Sequence, residues 1–170
     1  MEIHGLGPAR LIRRRLRLAV CSQDSGPENQ LGKMRTSRPK ILLLHSLIDR
    51  ARNERFVWGA NDCMIFTASI AAQVGVFDSS EVMSYAGTYS NKKGALDLVN
   101  KFGGFQSAMD YFFRDLEVIN PRKALHGDVL LLDTPAGLSA AVCAGSVAVG
   151  PGDSGLEFVT IKKAIKAWAN

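Results

Sequence analysis

From Pro39 onward, apolar positions recur first at helical and then at strand spacing. Ile41, Leu42, Leu44, Ile48 and Ala51 predict a helix with Pro39 in its first turn, where a missing N–H costs nothing. Asn53 to Gly59 breaks it. Met64 to Val74 predicts a second helix, preceded by Asp62 and closed by Gly75. This segment is apolar nearly all round, so it must be buried. Ser90 is the expected cap of a third helix, Lys92 to Phe102, with Ala95, Leu96, Leu98 and Val99 facing inward and Gly103-Gly104 ending it. Phe105 to Phe113 predicts a shorter fourth helix.

The spacing then changes. Residues 116–119, 128–133, 140–144, 146–149 and 156–160 are short apolar runs separated by Pro- and Gly-containing turns, and they predict strands. A last helix is expected over Ile161 to Trp168. Helices first and strands second is the α+β pattern with an antiparallel sheet. No internal repeat is present.

Charge divides the chain. Residues 1–40 carry nine Lys/Arg against three Asp/Glu, whereas residues 41–170 carry twelve against thirteen. The net charge of +5 therefore reports on the N-terminal arm alone. Residues 1–38 read as a basic, disordered arm, because 22–38 are too polar to repay ordering with burial. Met34 is an expected working start. Residues 39–170 read as one domain. Nucleic-acid contact is expected only through the arm. No run approaches the roughly 20 apolar residues of a membrane span. The stretch after Arg17, Leu18 to Cys21, is too short for an export signal. A cytoplasmic or virion-associated protein is expected.

Three widely spaced cysteines, Cys21, Cys63 and Cys143, read neither as a disulfide framework nor as a zinc site. No phosphate-binding loop is present, and no cofactor or metal is implied. Cys63 is different because it opens the buried helix. Backbone N–H groups there favour the thiolate, while Asp62 opposes it. A thiol nucleophile needs a nearby base. His4 lies in the arm and His45 on the first helix, which leaves His126, just before the first clear sheet strand. Asp128 and Asp133 read as solvated strand-end carboxylates. Trp58 is expected in the core or along a cleft beside Cys63.

The run Phe56-Val57-Trp58-Gly59-Ala60-Asn61-Asp62-Cys63, followed by an apolar helix, resembles the nucleophile region of NlpC-type cell-wall peptidases, of the papain-like superfamily. His126-Gly127-Asp128-Val129 resembles their Gly-Asp strand, and Leu138 to Gly145 the next strand, which ends in glycine. Tyr85-Ala86-Gly87-Thr88-Tyr89 and Gly94-Ala95-Leu96 resemble a small bacterial and phage group often encoded among tail-assembly genes. The resemblance implies a papain-like fold over about residues 40–170. It implies Cys63 as nucleophile and carries the base over to no residue; His126 and Asp62 stand as further catalytic candidates by their position in the chain, and Trp58, Asn61 and Ser139 as substrate-contacting ones. In active members a histidine opens the glycine-ended strand, and Ser139 stands at that position here. Two functions follow as expectations. One is a cysteine hydrolase of peptidoglycan-type amides. The other is an inactive structural or binding module that contacts wall fragments or tail proteins.

Overall fold

The computed structural model describes residues 37–170. The readings on the arm, including Met34 and Cys21, lie outside the described residues apart from Ser37 and Arg38. Among the described residues, five helices come first: α1 (Arg38–Ala51), α2 (Cys63–Val74), α3 (Ser80–Met83), α4 (Lys92–Asn100) and α5 (Phe105–Phe112). Six strands follow: β1 (Glu117–Ile119), β2 (Val129–Thr134), β3 (Gly137–Cys143), β4 (Val147–Gly152), β5 (Gly155–Thr160) and β6 (Ala164–Ala169). All pairings are antiparallel, in the order β1-β6-β2-β3-β4-β5. The α+β expectation is met at this level.

Helix α2 is the centre of the packing. Met64, Ala68 and Ala71 join α3, α5, β2, β3 and Trp168 in one core cluster. Phe66, Ile70 and Val74 join α1, Val142 and Val149 in a second. Two apolar faces contacting two neighbours explain why no amphipathic stripe was visible in this helix. A third cluster, with Leu130, Leu132, Ala141, Cys143, Ala148 and Ala167, lies on the other face of the sheet, where Ala124 and Ile161 help to cover it. Strand β2 is therefore apolar on both faces: Val129 to Leu132 are all buried.

The expected terminal helix is a correction. Ile161–Lys163 is one 3-10 turn, and Ala164–Ala169 is strand β6, paired with both β1 and β2. Ile165 is exposed while Ala167 and Trp168 are both buried, so burial shows no clean alternation, and the segment is too short for periodicity to separate helix from strand. Pairing to two strands decides it. Asn91, not Ser90, caps α4, by accepting from Gly94 N. Asp133 is exposed as expected, but Asp128 is fully buried and accepts from Leu125 N and Asn170 N.

The candidate cleft around Cys63

The turn before Cys63 is built for that position. Asp62 is buried and its carboxylate accepts four hydrogen bonds, from Met64 N and Ile65 N at 3.1 Å, Gly59 N at 2.9 Å and Tyr89 Oη at 2.6 Å. The first two make Asp62 the N-cap of α2. Gly59 has φ +71°, and a Cβ there would lie 1.8 Å from the Tyr89 carbonyl oxygen. Gly87 N donates to Gly59 O at 2.7 Å. The Trp58-Gly59 turn and the 85–89 segment thus lock together, and Gly59 is required by both its conformation and its neighbour.

Cys63 keeps partial exposure and lines two adjoining cavities. One, of about 660 Å³, runs along β3, β4 and the start of the β5 hairpin and includes Ser139. The other, of about 500 Å³, is apolar and lies between α2, α4, α5 and the β2–β3 turn. Trp58 and Lys92 line both. Trp58 packs edge-on against Phe56, with ring centres 4.7 Å apart.

Burial pushes the Cys63 thiol above the ordinary cysteine value, and the Asp62 charge adds to this. The Ala140 backbone amide, the Ser139 hydroxyl and Met64 N–H act on the sulfur in the opposite direction without overcoming it. The helix N-terminus does not deliver a thiolate, because desolvation of the sulfur outweighs the donors that face it, and Asp62, which also accepts from the Met64 and Ile65 amides, adds a negative charge beside it. The Cys63 N–H, first in the helix, has no intrahelical acceptor. It is the amide of the α2 N-terminus that could face an oxyanion.

The structure brings Cys63 together with Asp62, Trp58 and Ser139 but separates it from His126. The His126 ring lies against Gly145 and is 5.8 Å from the His45 ring, centre to centre. Gly127 N donates to Cys143 O, so His126 stands beyond the far end of β3. Ser139 to Cys143 spans roughly 14 Å of strand. The imidazole expected as base is thus at the opposite end of both β3 and α2. Asn61 is also outside the cleft: its Nδ2 donates to Arg55 O at 2.9 Å, and it lines a separate depression with Leu47 and Ser69. Asp62 is a cap and brace. Beside Ser139 and Ala140, strand β4 offers Gly150-Pro151-Gly152, with no polar side chain to orient a base.

The sequence shows the Tyr85–Tyr89 run but not the role of Tyr89 within it. Its phenol lies on Asp62, and burial, the hydrogen bond and the Asp62 charge all raise its pKa, keeping it a donor. Lys92 was also missed as a cleft residue. Among the described residues, no three His, Cys, Asp or Glu side chains stand together as metal ligands. Also among them, no helix is long and apolar enough to cross a membrane.

Compared with known proteins, the chain matches no curated protein and no solved structure. A family described as a domain of unknown function, DUF6950, matches residues 38–170, the whole span from the first residue of α1 to the last residue. This chain belongs to the DUF6950 family.

Proposed function

We propose that the domain is a cleft-bearing binding module with the element order of NlpC-type peptidases, in which Cys63 is an uncharged thiol of the cleft wall. A role in phage tail assembly, contacting wall fragments or tail proteins, is the setting that the sequence resemblance suggests. One observation carries the reading: beside the thiol stands Ser139, not an imidazole, while burial keeps the sulfur protonated. A serine hydroxyl cannot take up a proton at neutral pH.

The second reading is a cysteine hydrolase of peptidoglycan-type amides. It is favoured by the placement of Cys63 at a helix N-terminus inside an open cleft. Peptide-resolved alkylation against pH separates the two. A binding module should show Cys63 alkylation with a midpoint above the ordinary thiol value of about 8.5, and no release of product from peptidoglycan fragments. Ser139→His should raise the alkylation rate at pH 7 by placing an imidazole beside the sulfur. A wild-type midpoint below about 7, with fragment cleavage lost in Cys63→Ala, would overturn the binding reading.

A further inference from the structure

The two cavities that meet at Cys63 differ in chemistry. The larger has acidic and basic residues, Asp153, Glu157 and Lys163, in its wall. The smaller, of about 500 Å³, is walled mainly by Met64, Val82, Tyr85, Val99, Phe105 and Phe112. Its volume falls in the range of small-molecule sites, roughly 300–1,000 Å³. The cavity is bounded by an incompletely packed helix. Helix α4 has an apolar side with Ala95, Leu98 and Val99, yet none of its residues is fully buried. Tyr85, Val99, Phe102 and Phe105 touch the core and remain only partly covered. The apolar side of α4 is thus only partly covered by protein, and the remainder borders the cavity.

The mouth carries a charge. Lys92 lines both cavities and forms no ion pair among the described residues, whereas its neighbour Lys93 is paired with Asp97 at 2.8 Å. A single unpaired cation at the rim of an apolar chamber complements a monoanion with an apolar tail. The buried carboxylate of Asp62 nearby disfavours a doubly charged head such as a phosphate monoester.

We propose that this chamber binds a single-chain aliphatic carboxylate, tail between α2, α4 and α5 and carboxylate at Lys92 beside Cys63. The proposal rests on the reading of the cleft as a binding site and names its ligand class. Binding should tighten roughly fourfold for each methylene until the chamber is full. Leu96 and Leu138, both exposed and both lining the chamber, leave the rim apolar enough for a tail to enter.

The test is a fluorescence titration of the full chain with 11-(dansylamino)undecanoic acid. Saturable one-to-one binding is expected, displaced by dodecanoate and not by dodecyltrimethylammonium. Lys92→Gln should weaken the carboxylate at least fivefold and leave displacement by neutral 1-dodecanol unchanged. Ala95→Trp, which fills the chamber from a partly exposed helix, should reduce binding at least tenfold with an unchanged circular dichroism melt. Three outcomes overturn the proposal: no saturable binding to the wild-type chain, binding indifferent to both substitutions, or one probe per two chains, which would mean that a second copy forms the site. Binding of peptidoglycan fragments with no carboxylate binding would overturn this inference and leave the binding-module reading. Carboxylate binding alongside Cys63-dependent amide cleavage would do the reverse.

Discussion

Asp62 shows how one side chain sets the character of the cleft. It caps α2, holds Gly59 and receives the Tyr89 phenol, so the cysteine that follows is positioned by a network and not by the helix alone. The same carboxylate works against ionisation of that cysteine. Asp62→Ala removes a cap, which costs about 1 kcal/mol, and leaves the buried Gly59 amide and Tyr89 hydroxyl unpaired. A total loss of roughly 2–4 kcal/mol is expected, read from urea unfolding. Asp62→Asn keeps an acceptor oxygen and should recover part of it. The motif Trp58-Gly59-Ala60-Asn61-Asp62-Cys63 is thus mostly a folding device: Gly59 and Asp62 build the turn, Asn61 ties it to Arg55, Trp58 and Cys63 line both cavities and Asp62 borders the smaller one.

At the scale of elements, the strands were harder to place than the helices, and β6 shows why. Its six residues pair with β1 on one side and β2 on the other, in register Val118↔Trp168 and Val129↔Trp168. Trp168 is almost fully buried, packing at 5.9 Å from Phe113 across the core. Trp168→Ala should cost about 3–5 kcal/mol and detach β1, measured as loss of amide protection at Val118 and Ile119 in hydrogen exchange. The helices were legible because capping and periodicity are local. Asp62 and Gly75 bracketed α2 correctly, yet Gly75 is not a left-handed cap. A Cβ there would lie 2.3 Å from the Asn170 side chain, so a distant residue imposes the glycine.

Across the whole molecule, the end of α2 is tied to the sheet by Asn170. Its side chain donates to Ala71 O and Gly127 O and accepts from Val76 N and Phe77 N, while its backbone N–H reaches Asp128 and its carbonyl accepts from Lys40 Nζ. Asn170→Ala leaves several buried backbone groups unpaired, and a loss of at least about 3 kcal/mol is expected in denaturant titration. The same end of the molecule carries His45 and His126. Burial, and secondly His45, hold His126 below the ordinary imidazole value. The unfolded chain therefore takes up this proton at a higher pH than the folded one. The contribution of His126 is full above about pH 6.5 and is lost as pH falls through its lower folded value. The drop in stability between pH 7 and 5 should be smaller in His126→Gln, measured by thermal melts across that range.

The sequence by itself determined the α+β class, the order of elements from α1 to β5 apart from the four-residue α3, which it did not show, and Cys63 as the opening residue of a buried helix. These rest on local chemistry: caps, turns and apolar spacing act over a few residues. The tertiary structure alone decided that Ile161 to Trp168 ends in a strand, that Asp128 is buried, that Ser139 adjoins the thiol, and that His126 does not. Those outcomes depend on pairing between segments far apart in the chain. A strand's neighbours set its burial on both faces, and opposite ends of one strand put two candidate partners roughly 14 Å apart. No spacing rule within the chain carries that distance. The candidate nucleophile could be read from its own helix, but the chemistry available to it could not, because its partners arrive from β3 and the Tyr89 segment.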